Sequence, residues 1–158
     1  MSAEVAVLAD GFAEGTHFVQ TPHVNGLGIM LGGQLCAWID EVGAVAAYRY
    51  AGGVCVTAAI DDLDFRLPIH LGDLVVLAAL VTWVGRTSLE VEVRVFRERA
   101  GGARSLANTA HLVFVAVDRE GKPAPLPVGQ PETEEERQAW VAAEMRGEAR
   151  VRRRRRMQ

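Results

Sequence analysis

The chain has 158 residues, the length of a single domain, and its composition (49% apolar and 23% charged residues) is that of a soluble globular protein. The formal net charge of −3 argues against a protein that coats nucleic acid. Residues 1–10 contain no lysine or arginine, so they are not expected to be a signal peptide. No apolar stretch approaches the ~20 residues that span a bilayer. We therefore expect a cytoplasmic protein without a membrane span.

The cysteines and histidines are too few and too scattered to predict a metal site. Cys36 and Cys55 both lie in apolar runs, which favours buried free thiols in a reducing compartment over a disulfide. The four histidines show no paired spacing. We expect no metal and no bound cofactor.

The first part of the chain is predicted to contain one strand and one long helix. The strand is expected near Thr16–Gln20. The helix is expected over Gly33–Tyr50, where apolar residues occur on nearly every side, so it is buried rather than amphipathic. Gly52 then ends this helix.

After the helix, apolar and polar residues alternate with a period of two, which predicts four strands. These strands are expected over residues 54–60, 74–84, 89–96 and 106–117. The breaks between them are short and contain proline or glycine, which favours an antiparallel meander. A long buried helix followed by such strands predicts an α+β fold, in which an antiparallel sheet of five to six strands wraps around the helix.

A proline-rich segment, Pro123–Pro131, changes the composition of the chain and is expected to be extended and non-helical. We therefore divide the chain into a folded domain over residues 1–128 and an extension over residues 129–158. The extension is expected to consist of this proline linker, a charged C-terminal helix and an arginine-rich tail.

The C-terminal extension carries its own helix signal. Thr133 and Glu136 have the spacing of a capping box, which predicts a surface helix over residues 134–150. Five arginines follow, Arg152–Arg156, here called the arginine run. Residues 131–158 carry eight Arg and six Glu, so the preceding 130 residues have a net charge of −5.

Asp40 is the first candidate for chemistry, because a carboxylate within an apolar helix is costly to bury without a partner. A carboxylate in such a place suits general-base catalysis. The alternative is a helix carboxylate that reaches solvent or pairs with an arginine. The neighbouring Glu41 points about 100° away around the helix and is expected to be paired or exposed.

Gly32 and Gly33 form a second candidate at the helix start, where backbone N–H groups are unpaired and carry a partial positive charge. Glycines at this point let a ligand carbonyl approach the backbone, as in an oxyanion hole. Close packing under the sheet is the alternative. Asn25 lies upstream in a turn dipeptide, and its amide can reach a water or a carbonyl.

Two further polar clusters lie beyond the predicted helix. The first consists of Arg86, Thr87 and Ser88. They lie at a predicted hairpin, where one guanidinium and two hydroxyls suit a phosphate, although hairpin turns are commonly polar. The second consists of Asp61, Asp62 and Asp64, which we interpret as charge at a strand end because their spacing matches no metal-binding loop.

Together these residues resemble a known family. The segment His23–Glu41 resembles the N-x-x-G-x-x-hydrophobic-G-G-x6-D motif of hot-dog-fold acyl-CoA thioesterases, most closely the bacterial YciA-like and brain-type acyl-CoA hydrolases. Further matching segments follow in order, namely Val56–Phe65 with Pro68 and Gly72-Asp73, Val84–Ser88, and Phe114–Asp118 with Gly121 and Pro127. The resemblance covers about residues 16–128 and leaves the C-terminal extension uncovered.

The resemblance implies a hot-dog fold, dimers joined through their sheets and, commonly, hexamers built as trimers of dimers. It implies acyl-CoA as the substrate, with CoA as part of that substrate and no separate cofactor. It also implies an active site at the dimer interface, so that self-association is needed for activity.

The resemblance further assigns roles to individual residues. Asp40 matches the catalytic carboxylate, which acts as base or nucleophile, and Asn25 matches an asparagine from the facing subunit. Gly33 matches the backbone donor at the helix start. The residues assigned to substrate or CoA binding are Gly32, Arg86, Thr87 and Ser88. Leu31 departs from the phenylalanine that the family commonly carries at this position.

Two other functions stay open at this point. A hot-dog dehydratase or hydratase pairs a histidine with an acidic residue near the helix, but no histidine lies within residues 33–50. A non-catalytic acyl-CoA sensor would give the arginine run a role at nucleic acid or anionic lipid. No helix-turn-helix precedes the domain, so no nucleic-acid partner is expected.

Overall fold

The computed structural model describes residues 4–61 and 63–158. Met1–Ala3 and Asp62, a member of the acidic cluster named above, lie outside the described residues. The elements in chain order are β1 (Val5–Val7), β2 (Phe12–Phe18), α1 (Gly32–Ala51), β3 (Cys55–Asp61), β4 (Leu74–Val84), β5 (Ser88–Glu98), β6 (Arg104–Ala116), β7 (Val128–Gln130) and α2 (Glu134–Arg156). No helix of the described residues is long and apolar enough to cross a membrane.

Five strands form one antiparallel sheet in the order β2-β4-β5-β6-β3, and this sheet packs on α1. The expected α+β fold is thus confirmed, with β2 and β3 as the edge strands. Gly43 in the middle of α1 permits the close contact, because a Cβ at this position would lie 3.3 Å from the ring of Phe114 on β6. The fully buried side chains of the shared core include Ile39, Ala46, Leu77, Leu89, Val91 and Phe114.

The ends of the first elements differ slightly from the predicted ones. α1 begins at Gly32 and ends at Ala51, one residue beyond the prediction at each end. Gly52 ends it in the left-handed conformation (φ 68°), and its N–H donates to the carbonyl of Tyr48 at 2.9 Å. β2 starts at Phe12 rather than near Thr16, because pairing with β4 continues through a stretch with little alternation.

β3 contains a bulge near its centre. Thr57 pairs with Phe114 and Ala59 pairs with Val113, so Ala58 is the extra residue. A bulge re-aims the side chains on either side of it. This one lies on the edge strand that borders α1, where it affects the position of Thr57.

α2 is longer than predicted and is less exposed than a free surface helix. It begins as expected, because Glu136 N–H donates to Thr133 Oγ1 at 3.1 Å and Thr133 N–H donates to Glu136 Oε2 at 3.1 Å. It does not end near residue 150 but continues through the arginine run, since arginine is a good helix former and the helix dipole favours cations at this end. Ala143 is buried on the sheet, on the face opposite to α1.

Buried ion pairs fasten α2 to this outer face. Glu90 of β5 is fully buried and accepts from Arg146 Nε at 3.0 Å, from Arg146 Nη2 at 2.8 Å and from Thr82 Oγ1 at 2.8 Å. Burial opposes ionisation, but the hydrogen bonds from Arg146 and Thr82 hold the pKa of Glu90 below its usual value. Arg150 pairs with Asp61 at the end of β3 and lies 3.7 Å from Glu90.

A small second sheet joins the two ends of the chain. β1 pairs in parallel with β7, with Val5 opposite Val128 and Val7 opposite Gln130. The predicted boundary after residue 128 therefore falls inside a paired strand, and the division of the chain there stays a prediction.

Candidate active site

The site begins at the start of α1. The N–H groups of Gln34 and Leu35 donate to the carbonyl of Leu31, at 3.1 and 3.3 Å, so the preceding N–H groups of Gly32 and Gly33 have no acceptor within the helix. These groups also carry the positive end of the helix dipole. Together they form a ready acceptor site for a partial negative charge.

The two glycines at this start have different surroundings. A Cβ on Gly32 would lie 3.0 Å from the ring of Phe65, so the glycine lets that ring pack against the helix. A Cβ on Gly33 would meet nothing within 4 Å. Gly32 therefore packs against Phe65, while Gly33 faces open space in which a ligand carbonyl can lie.

Asp40 lies seven residues after Gly33, about 10 Å along the helix axis. It is half-buried, and its Oδ1 accepts a hydrogen bond of 2.6 Å from Thr57 Oγ1. The predicted alternative of an arginine partner is therefore wrong within the described residues, since the partner is a hydroxyl. Because a neutral hydroxyl holds one oxygen of this carboxylate, the other oxygen stays available to a water or a substrate.

Thr57 is a site residue that the sequence did not reveal. It stands at the bulge of β3, where the regular alternation of side chains is interrupted. Thr57 lies in the family-like segment Val56–Phe65 and is a polar residue on a short apolar strand, but neither signal identifies a partner 17 positions away.

Asn25 lies in the loop that leads into α1. Its Oδ1 accepts from the N–H groups of Leu27 (2.9 Å) and Ile29 (3.1 Å), so the side chain holds the turn. Gly28 completes the turn with a positive φ of 72°. Within the described residues Asn25 makes no hydrogen bond to Asp40.

An apolar cavity of about 470 Å³ opens beside Gly32. Its remaining lining residues are Ile29, Met30, Leu31, Leu35, Phe65, Leu67, Pro68, Ile69, Ala107 and Asn108. Asn108 is the polar member, and its Nδ2 donates to the carbonyl of Asp64. A cavity of this size and lining suits an apolar chain whose polar end lies at the helix start.

The hairpin cluster lies elsewhere. Arg86 and Thr87 connect β4 to β5, and Ser88 is the first residue of β5; none of the three lines the cavity beside Gly32. Arg86 is exposed, while Thr87 and Ser88 line a second cavity of about 790 Å³ between the outer face of the sheet and α2. Within one protomer, the cluster and Gly33 therefore do not line one cavity.

No group of three or more metal-binding side chains occurs in residues 4–61 and 63–158. The histidines near α1 contribute to packing instead. His17 stacks on Trp38 with ring centroids 4.2 Å apart, and His23 meets the same ring edge-on at 4.9 Å.

Comparisons with known proteins identify the chemistry that this arrangement supports. Residues 27–103 match the thioesterase superfamily. The chain is 42% identical over 135 residues to the uncharacterized acyl-CoA thioester hydrolase YkhA of Bacillus subtilis, and the match covers 85% of this chain and 78% of that protein. This chain belongs to the acyl-CoA thioester hydrolases of the thioesterase superfamily. The predicted family and activity are thus confirmed.

Solved structures agree with this assignment. A hexameric acyl-CoA thioesterase matches with a TM-score of 0.90 and 39% identity, covering 95% of this chain and 97% of the other. An acyl-CoA hydrolase from Staphylococcus aureus, solved with butyryl-CoA, CoA and CoA disulfide, matches with a TM-score of 0.88 and 34% identity, covering 95% and 92%. The hot-dog fold is therefore confirmed.

Proposed function

We propose that this acyl-CoA thioester hydrolase works at a site shared by two protomers. Asp40, Thr57 and the start of α1 come from one protomer, and Asn25 of the partner subunit completes the site. The hydrogen bond between Thr57 and Asp40 is the observation that carries this assignment, because it orients a carboxylate on the helix that begins with free N–H groups.

The chemistry follows from this arrangement. The thioester carbonyl oxygen accepts from the N–H of Gly33, which stabilises the negative charge that develops as the carbonyl is attacked. Asp40 either removes a proton from the attacking water or attacks the carbonyl itself to form an anhydride that water then cleaves. In both routes the C–S bond breaks, the thiolate of CoA leaves and a carboxylic acid is formed. A thiolate is a good leaving group, so the reaction does not need a strong acid to protonate the sulfur as it departs.

The staphylococcal relative supports these roles. Mutants of that enzyme have been solved in which an aspartate, an asparagine or a threonine is changed to alanine. There the asparagine precedes the aspartate by 15 positions and the threonine follows it by 17. The same spacings separate Asn25, Asp40 and Thr57 in this chain.

The surface of one protomer supports the shared site. β3 is an edge strand with an unpaired side, and its neighbourhood exposes the apolar side chains Val54, Val56 and Ile60. Pairing of two β3 strands would cover these side chains and join two sheets. We propose a dimer formed in this way, and its assembly into a hexamer like that of the solved relative.

The remaining roles are part of the same proposal. The acyl chain occupies the apolar cavity beside Gly32, and the hairpin segment Arg86–Ser88 contacts CoA. No cofactor is needed besides the CoA portion of the substrate. Two free cysteines support a location in the reducing cytoplasm.

The test is release of free thiol from a panel of acyl-CoAs of increasing chain length. Asp40→Asn preserves the shape of the side chain but removes its basicity, so kcat should fall by roughly 10²- to 10⁴-fold. Glu41→Gln is the matched control, because Glu41 is an exposed carboxylate on the same helix and should be dispensable. Near-normal turnover by Asp40→Asn would contradict the assignment. Binding of acyl-CoA without turnover by the wild type would instead support a sensor.

A further inference from the structure

The end of α2 is held close to β3, the strand that carries Thr57. Arg150 pairs with Asp61, the last residue of β3, and Arg153 lies 3.4 Å from the same carboxylate. Asp61 is four residues beyond Thr57, the proposed partner of Asp40. Arg150 and Arg153 therefore position the end of the helix, and their positive charges are paired with the carboxylates of Asp61 and Glu90.

The other arginines at this end are exposed to solvent. All four side chains are exposed and form no ion pair with any described residue: Arg152, Arg154, Arg155 and Arg156. Because the helix continues through them, successive side chains project about 100° apart and do not collapse onto one acid. They surround the end of the helix with positive charge, on a chain whose first 130 residues have a net charge of −5, and Arg154 is the one of these four described residues that lines the cavity between α2 and the sheet.

This cavity connects the end of the helix to the hairpin cluster. Arg154 and Arg150 line the cavity of about 790 Å³ together with Thr87 and Ser88. Ala58, the extra residue of the β3 bulge and the residue after Thr57, lines the same cavity. Glu144 and Glu148 line the same cavity from earlier turns of α2. An anion is therefore favoured only at the arginine end, by which we mean the last turns of α2 that carry the arginine run.

We propose that the arginine end of α2, with Thr87 and Ser88, binds the phosphate groups of the 3′-phosphoadenosine diphosphate of CoA. This inference rests on the proposed function, since it assigns a role in binding the substrate of that same site. Guanidinium groups donate to phosphate in pairs and remain charged at every working pH. Serine and threonine hydroxyls add donors to a polyphosphate. The arginine run thereby offsets the repulsion between an acidic domain and a polyanionic substrate.

The test uses a variant of the full chain with Arg152→Gln, Arg154→Gln, Arg155→Gln and Arg156→Gln. Arg150 and Arg153 are kept, so that the contacts to Asp61 survive, and circular dichroism checks the helix. For acyl-CoA, KM should rise roughly tenfold while kcat stays unchanged. For the same acyl group on pantetheine, which carries no phosphate, KM should not change. The increase of KM with salt concentration should also become shallower in the variant.

A matched control removes the same number of positive charges elsewhere. It carries Arg94→Gln, Arg99→Gln, Arg104→Gln and Arg137→Gln, all exposed positions that do not line the cavity with Arg154. This control should keep the wild-type KM. Equal KM values for acyl-CoA in wild type and the arginine variant, or an equal rise for both substrates, would overturn the inference.

Nucleic acid is the competing partner for the arginine end, and a binding assay distinguishes it from CoA. If the wild type binds a single-stranded oligonucleotide, and the arginine variant loses that binding but keeps the affinity for CoA, the partner is nucleic acid and the inference is wrong. If the wild type releases no thiol from either substrate, the proposed function fails, whereas turnover with an unchanged KM in the variant defeats only the phosphate contact.

Discussion

The carboxylate of Asp40 is oriented by one hydroxyl on a neighbouring strand. Thr57→Val keeps the volume of that side chain and removes the hydrogen bond of 2.6 Å. A hydrogen bond to a charged group contributes about 1.5–3 kcal/mol, so kcat should fall roughly 10- to 100-fold. Thr57→Ser retains the hydroxyl and should keep most of the rate in a thiol-release assay. Equal losses in both variants would mean that packing, not the hydrogen bond, matters.

A substitution at Gly33 should affect the activity and the stability of the protein in different ways. Gly33→Ala adds a methyl group in open space within the first turn of α1, where alanine is the better helix former by about 1 kcal/mol. The free energy of unfolding should therefore stay level or rise in urea titrations. Activity should fall roughly 10- to 100-fold, since the methyl group occupies the path of the thioester carbonyl.

Gly147→Ala is the control for Gly33→Ala. It lies in α2, where a Cβ would make only an ordinary contact of 3.5 Å with Arg150. This variant should gain stability and keep the wild-type kcat; because Gly147 lines the cavity assigned to the CoA phosphates, kcat and not KM is compared between the two variants. Loss of unfolding free energy in Gly33→Ala would show that the glycine is needed for the fold and not for the substrate.

Individual site residues could be predicted to different extents. Asp40 and Gly33 stand out in the sequence because a carboxylate and a glycine pair are unusual in an apolar helix. Thr57 does not stand out, because its role depends on a bulge that places it opposite Asp40. Asn25 was correctly identified as a turn residue, but its proposed catalytic role depends on a second chain that one sequence does not describe.

At the scale of elements, the docking of α2 is set by the buried acid Glu90. The hydrogen bonds from Arg146 and Thr82 keep the pKa of Glu90 below its value in the unfolded chain, about 4.3. The folded state therefore binds fewer protons than the unfolded state near this pH. Glu90 contributes its full stability above about pH 4.3, and this contribution is lost as the pH falls through the lower folded-state pKa.

Glu90→Gln tests this pH dependence. At pH 7 the variant should unfold at lower urea concentration than the wild type, because the ion pair with Arg146 is lost. As the pH falls below about 4, the difference between the two proteins should shrink. A difference that stays constant from pH 7 to pH 3 would mean that Glu90 does not titrate as its contacts require.

The length of α2 illustrates what local signals miss. The capping box at Thr133 predicted its start, because that signal lies within four adjacent residues. Its end was predicted too early, because the mutual repulsion of five adjacent like charges opposes the helix that arginine and the helix dipole otherwise favour. Arg150 and Arg153 instead pair with Asp61, far away in the sequence, and this contact supports the last turns.

At the scale of the whole molecule, the proposed site requires two chains. Asn25→Ala and Asp40→Ala proteins should each be nearly inactive. Co-expressed with different tags, they should form mixed dimers in which one of the two sites has no mutation. Random mixing should thus restore about a quarter of the wild-type activity, as expected for a symmetric pair. No recovery in verified mixed dimers would mean that Asn25 acts within its own protomer.

The control for this mixing experiment comes from the structure. Asp40 and Thr57 contact each other within one protomer. Mixing Asp40→Ala with Thr57→Ala leaves every site with one mutation, so the mixture should not exceed the activity that the Thr57→Ala chains supply. The pair of experiments therefore reads out which residues of a site come from the same chain.

The parallel pairing of β1 with β7 has a consequence for the order in which the protein forms during synthesis. The paired residues Val5 and Val128 lie 123 positions apart, whereas α1 and β2–β6 have all their partners by Ala116. The sheet and its helix can therefore close on the ribosome while β1 waits for its strand. β7 leads directly into α2, so the helix that covers Glu90 is added in the same late step. In a nascent chain paused after Ala116, the five-stranded sheet would be complete, but Glu90 would still be exposed to water.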